Sequence, residues 1–209
     1  KNVCKSIEAQ PRNKKIKQPL SRADEKMILN HCKNQLHKDM IEFNINTGLR
    51  LSEMLGLSFD EVDLNKKVLC IKHQISDYPD DEGNYFLKKT KTKNVRYIPL
   101  NNRALVILRR NIKMRQKQLN QQTHKRYYKQ HSKVSKELIF VNTKGNCFTR
   151  AGFYSVLAYI KDRAVKDGYK YDCKNISPHT FRHTFATRCM EAGMTPNTVS
   201  TLLGHTSVR

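Results

Sequence analysis

The stretch HTFRHT at positions 179–184 puts two imidazoles and a guanidinium within five residues. On a helix His179, Arg182 and His183 share one face, because positions three and four apart are neighbours. Such a face suits a metal site, a catalytic site, a DNA-contacting surface, or simply the basic side of an amphipathic helix anchored by Phe181 and Phe185. A zinc site commonly adds a third ligand, often a carboxylate, as in the HExxH pattern. Here the motif holds no acid, and a guanidinium repels a dication, so no metal is expected. An anionic transition state fits the set better. Arginine presents a planar fork that matches two phosphate oxygens, and histidine gives or takes a proton near neutral pH.

That face needs a helix to hold it. Pro178 at a first helical position and Gly193 after the run predict a helix over 179–192, and Thr195 with Pro196 opens one more, to Leu203. Upstream, Thr149 caps a core-like helix with Phe153, Leu157, Ile160 and Ala164 on one side; Tyr154 falls in it, with nothing to mark it as a nucleophile. Near the start, Ser21 and Asp24 form a capping-box pattern for a helix to about Cys32. A second helix covers roughly 36–46, with Met40, Ile41 and Phe43 as core candidates, and Gly48 breaks it. A short helix follows through LRLSEMLG to Gly56. The texture then changes. VLCIKH (68–73) and VRYIPL (95–100) are β-branched and partly alternating, with a polar, Gly-containing stretch between them. Asn101 and Asn102 start a helix with Leu105, Leu108 and Ile112 on one face. Residues 118–136 read as a frayed helix end and loop, and ELIFVN (137–142) as a short strand. The fold class is α+β, mainly α-helical with a small antiparallel β-sheet, and no internal repeat is visible.

Composition narrows the partners. The 209 residues hold 40 Lys and Arg against 18 Asp and Glu, a formal net charge of +22. An excess of that order concentrates phosphate groups at the surface and points to nucleic acid. The bland alternative is a basic, soluble protein with no polyanion partner. An anionic membrane surface is disfavoured, because no long basic amphipathic helix with a bulky apolar face is present. No apolar run approaches the roughly 20 residues of a membrane span, and KNVCKSIEAQ contains no signal-peptide core. Cys4, Cys32, Cys70, Cys147, Cys173 and Cys189 show no CxxC spacing, which argues against a zinc site or a disulfide framework and for a reducing cytoplasm. The first residue is not Met, and residues 1–20, with Pro11 and Pro19, read as a linker entering a domain that begins at 21.

Four motifs in order carry a family resemblance: TGLRLSEMLGL (47–57), KTKNVRYIPL (91–100), HTFRHTFAT (179–187) and LLGH (202–205). Together they resemble the catalytic domain of tyrosine recombinases, the phage and conjugative-transposon integrases and Xer-type resolvases. The resemblance covers nearly the whole chain after about residue 20. It implies the tyrosine recombinase catalytic fold and assigns Arg50, Lys91, His179, Arg182 and His205 as catalytic residues. Glu53 would hold the Arg50 guanidinium, and His183 would support by hydrogen bonding. Lys91 is chosen from its neighbours because it lies eight residues before Pro99; Thr90 and Thr92 flank it where the family usually has glycine. Lys89, Lys93 and Arg96 are expected to grip DNA backbone phosphates.

In that family Arg50 and Arg182 would clamp the non-bridging oxygens of a pentavalent phosphorane, with a hydrogen bond from His205. Lys91 would protonate the departing 5′ oxygen, and His179 would take the proton from an attacking tyrosine. No cofactor is implied. The nucleophilic tyrosine follows shortly after the LGH segment in the family, whereas all nine tyrosines here precede it; it is expected beyond residue 209. The implied partners are double-stranded DNA at element ends and target site, further copies of the chain in a tetramer on two duplexes, and an accessory DNA-bending or excision factor. Residues 1–20 would join a core-binding domain. The implied setting is a bacterial cytoplasm, at the nucleoid. A type IB topoisomerase shares the active-site plan, and a non-catalytic DNA-binding protein could keep the fold. An RNA-binding protein is a third class, but no aromatic RNP-type motif is present.

Overall fold

Residues 18–90, 95–122, 133–169 and 176–204 are described by a computed structural model. The first helix, α1 (Arg22–His31), starts on the capping box that the sequence predicts: the Ser21 hydroxyl accepts from the Asp24 amide, and the Asp24 carboxylate accepts from the Ser21 amide. The packed body begins one residue earlier than expected. Leu20 is buried and its amide donates to Thr184 Oγ1 at 2.9 Å. Helix α2 (Gln35–Thr47) is buried along most of its length and runs through the middle of the core.

Gly48 ends α2 in the left-handed region, at φ +63°. It is also a point of close approach. A Cβ there would stand 2.4 Å from Phe185 Cδ1 and 3.0 Å from Leu203 Cδ2. Gly48→Ala is therefore expected to cost roughly 2–4 kcal/mol, from the left-handed backbone and the overpacking together; the urea midpoint measures it. A loss below 1 kcal/mol would mean that the aromatic ring moves aside freely.

Helix α3 (Leu51–Leu55) follows at once. Strands β1 (Val62–Asp63), β2 (Val68–Ile71) and β5 (Arg96–Pro99) form a three-stranded antiparallel sheet in the order β1-β2-β5, with Leu69 opposite Ile98 and Ile71 opposite Arg96. Between β2 and β5 the chain makes a separate two-stranded ribbon, β3 (His73–Ile75) with β4 (Leu87–Lys89), in which His73 faces Lys89. The sequence pattern predicts the pairing of 68–73 with 95–100, runs the first of these strands on to His73, and reads the stretch that holds the ribbon as polar turn. Buried Glu61 separates β2 from β3, because its Oε1 takes the amides of Lys72 and His73 at 2.7 and 2.8 Å and so withdraws them from the ladder. The ribbon rests on α3: a Cβ at Gly56 would meet the Ile75 amide nitrogen at 2.5 Å, and Ser52 Oγ donates to Gln74 Oε1 at 3.1 Å.

Helix α4 (Asn102–Gln122) extends beyond its apolar face into the polar stretch read as a frayed end. Helix α5 (Lys133–Glu137) occupies residues expected to be loop. ELIFVN forms no continuous strand; it makes isolated bridges, Leu138 to Ser58 and Val141 to Cys147. Its apolar side chains are buried all the same, so what reads as a strand is a core-filling extended segment. Helices α6 (Arg150–Lys166), α7 (Pro178–Glu191) and α8 (Pro196–Leu203) complete the described chain. Helix α7 packs along α2 with Phe181 fully buried, and Cys189, Val199 and Leu203 form a small second cluster between α7 and α8. No described helix is long and apolar enough to cross a membrane.

Candidate active site

The turn after α2, the start of α3 and the first half of α7 meet at one groove of about 370 Å³, lined by Arg50, Ser52, Arg150, Tyr154, His179 and Arg182 among others. Each side chain arrives there for a local reason. Arg50 is the N-cap of α3, and its amide is tied to Glu53 Oε2 at 2.8 Å, so the helix start aims it. Helix α7 begins at Pro178 after the Ser177 cap, which leaves His179 exposed on the first turn, while Phe181 drives the opposite face into the core. Arg182, one turn on, lies beneath His179 and is only 6% exposed.

A buried arginine must satisfy its donors. Arg182 NH1 donates to the Gly48 carbonyl at 2.8 Å, and its NH2 to the Leu203 carbonyl at 2.5 Å. Arg50 NH1 donates to Glu53 Oε1 at 2.9 Å and NH2 to the Gly204 carbonyl at 3.0 Å. Arg96 holds Glu53 from the other side, NH1 to Oε1 at 2.9 Å and NH2 to Oε2 at 2.5 Å, and its Nε donates to the Leu202 carbonyl at 3.0 Å. Three successive carbonyls at the end of α8 thus receive three different guanidiniums. Those carbonyls have no partner within the helix and carry the negative end of its dipole, so they suit cations.

The cluster is electrostatically unbalanced. Arg50, Arg96 and Arg182 surround one carboxylate, Glu53. Burial alone would raise the Glu53 carboxyl, but hydrogen bonds and charge from Arg96, then from Arg50, outweigh it and hold the group below the usual carboxylate range. The imbalance falls on Arg182. Desolvation first, then the charges of Arg50 and Arg96, push its guanidinium down to about 9, still charged at neutral pH. Among the described residues this leaves two positive charges in excess beside an open groove.

Four of the ten expected residues converge here. Arg50, His179 and Arg182 line the groove, and Glu53 sits behind it, 1% exposed. His183 is exposed and meets His179 edge to face, ring centroids 6.2 Å apart, outside the groove lining. Lys89 is exposed on β4. Lys91, Lys93 and His205 lie outside the described residues. Arg96 is placed otherwise than expected. It is 6% exposed and bound to Glu53 and α8, so it faces the interior and is no surface phosphate contact. The period-two pattern held the signal: Arg96 alternates with Tyr97 and shares the buried side of β5 with Ile98. Arg150 and Tyr154 were missed. Tyr154 is 46% exposed on the groove, because it stands about 100° around α6 from buried Phe153, on the flank of the face that Phe153, Leu157 and Ile160 bury, and Arg150 lies one turn before it on that flank. Among the described residues no group of three metal-ligating side chains occurs.

The phage integrase family model matches residues 18–209. The chain belongs to the phage integrase family. Its relatives include a tyrosine recombinase XerC of Roseiflexus castenholzii, 30% identical over 173 residues that cover 82% of this chain and 44% of that protein. A transposase from transposon Tn916 of Enterococcus faecalis is 28% identical over 174 residues, 81% of this chain and 39% of that one. A solved structure of the Tn1549 transposon integrase in complex with transposon right-end DNA superposes with a TM-score of 0.76 at 26% identity, covering 93% of this chain and 60% of that one. The chain spans less than half the length of these two curated relatives. Its mainly helical fold with small antiparallel sheets is that of the tyrosine recombinase catalytic domain.

Proposed function

We propose that this chain is the catalytic domain of a mobile-element site-specific recombinase, cutting and rejoining DNA by metal-free transesterification through a 3′-phosphotyrosyl intermediate. The observation that carries the reading is the pair Arg50 and Arg182 on one groove, in a cluster that among the described residues has two positive charges in excess. Among the described residues, two N–H donors of each guanidinium are used as anchors, and a guanidinium carries five. Preorganised donors of this kind stabilise charge that develops in the transition state.

In the proposed step a tyrosine oxygen attacks the phosphorus and the bond to the 5′ oxygen breaks. His179 accepts the tyrosine proton and Lys91 donates one to the leaving oxygen, while His205 adds a hydrogen bond to the phosphorane. The nucleophile is assigned to sequence beyond residue 209. Tyr154 serves as a groove wall. Double-stranded DNA is the partner, with a tetramer on two duplexes as the working assembly.

Covalent trapping tests this. A chain carried past residue 209 through the next tyrosine is mixed with nicked suicide duplexes bearing candidate element ends and resolved on a denaturing gel. A protein–DNA adduct that persists in Tyr154→Phe is the expected result. Salt-sensitive binding with no adduct on any element end would make the groove a phosphate grip in a DNA-binding protein without cleavage activity. An adduct lost in Tyr154→Phe would move the nucleophile onto α6.

A further inference from the structure

Beside the clamp, one carboxylate holds two cations, one of which lines the groove. Asp77 follows β3; its Oδ2 accepts from Lys88 Nζ at 2.7 Å and its Oδ1 from Arg150 NH1 at 2.7 Å. Lys88 stands on β4, whose strand leads into the lysine-rich KTKTK stretch. Arg150 is the first residue of α6 and lines the same groove as Arg50, His179 and Arg182. Asp77 therefore spans from the ribbon to the groove wall. All three side chains are open to water, 38% for Asp77, 37% for Lys88 and 49% for Arg150. Hydrogen bonds from Lys88, then Arg150, hold the Asp77 carboxyl below the usual carboxylate range, so it stays an anion at neutral pH.

Ion pairs this exposed contribute little to stability, so exchanging their anion is easy. A phosphodiester offers two oxygens with the spacing of a carboxylate, and arginine binds both in the same forked way. We propose that Asp77 is a built-in counter-anion that DNA displaces: when a duplex lies across the groove, Arg150 and Lys88 leave Asp77 and grip backbone phosphates that flank the one clamped by Arg50 and Arg182. The ion pairs keep both cations in place, and the ribbon pinned to α6, until DNA arrives. Asp77 then weakens binding to any duplex that cannot reach both cations, so it acts as a filter against loose contacts. The inference rests on the DNA-binding part of the proposed function and adds to it two contact residues and a competitor.

The 209-residue chain itself suffices for the test, with a fluorescein-labelled duplex of arbitrary sequence read by anisotropy over a range of salt. Asp77→Asn is expected to tighten binding roughly threefold to tenfold at low salt and to steepen the salt dependence, because two cations are freed for phosphates. Arg150→Ala is expected to weaken binding and flatten the salt slope by about 1, as loss of a phosphate contact does. The double variant decides the assignment: with Arg150 absent, its share of the gain from Asp77→Asn disappears and only that of Lys88 is left. Asp162→Asn controls for net charge, since Asp162 pairs with Lys166 at the far end of α6. An equal gain from Asp162→Asn, or a gain from Asp77→Asn that survives undiminished in the Arg150→Ala background, overturns the proposal. A wild-type chain that shows no salt-sensitive binding would instead sink the DNA-binding reading beneath it.

Discussion

Arg182→Lys is expected to slow covalent adduct formation by roughly 10²–10³-fold while leaving most of the affinity for duplex DNA in place. The substitution keeps the charge and removes the fork. Arg182 spends one terminal nitrogen on the Gly48 carbonyl and the other on the Leu203 carbonyl, and still presents donors to the groove. An ammonium has three donors on one atom and cannot span both carbonyls and an anion at once. Ground-state affinity comes from many phosphate contacts spread over a +22 surface, so losing one changes it little. The measurement is the single-turnover rate of adduct formation beside the equilibrium affinity. Loss of both in equal measure would show that Arg182 supports the fold rather than the transition state.

Glu53→Ala is expected to cost about 3–5 kcal/mol, because it leaves buried Arg96 and half-buried Arg50 beside Arg182 with no carboxylate. In a domain of this size that lowers the thermal midpoint by on the order of 10 °C. The pH dependence carries a matching sign. The folded Glu53 carboxyl sits below its ordinary value near 4.5, so between the two values the unfolded chain binds the extra proton. Glu53 therefore stabilises the fold above about pH 4.5, and that contribution is lost as pH falls through the lower folded value. Glu53→Gln should unfold earlier than wild type at neutral pH yet lose less of its stability between pH 5 and pH 3. Parallel pH curves for the two proteins would mean that other carboxylates control acid unfolding.

Much of this site was legible in the sequence because it depends on short-range rules. The Ser21 capping box, Gly48 after α2 and Pro178 at the head of α7 each act within one turn of chain. The HTFRHT face then follows from helical spacing, apart from the depth of Arg182, which only the packing against α2 sets. What was not legible depends on partners far apart in sequence. Arg96 was read by its charge, and its burial answers to Glu53, 43 positions away. Glu61 interrupts the strand expected over 68–73 by accepting two amides 11 and 12 positions on. The residues at 137–142 bear apolar side chains typical of a strand, but lack a neighbouring strand to complete a ladder.

The end of α8 has one more consequence. The guanidiniums of Arg96, Arg182 and Arg50 are held by the carbonyls of Leu202, Leu203 and Gly204 in turn. A peptide oxygen is present whatever side chain its residue carries, so no exchange of residue type at 202 or 203 deletes an anchor. The order of the three oxygens is a matter of phase. Inserting or removing one residue between Pro196 and Leu203 rotates everything beyond it by about 100°, which presents each arginine with the wrong oxygen or none. This corner of the molecule is thus tolerant of spelling and intolerant of length, and a one-residue indel in an eight-residue helix would disarm a site whose every side chain is intact.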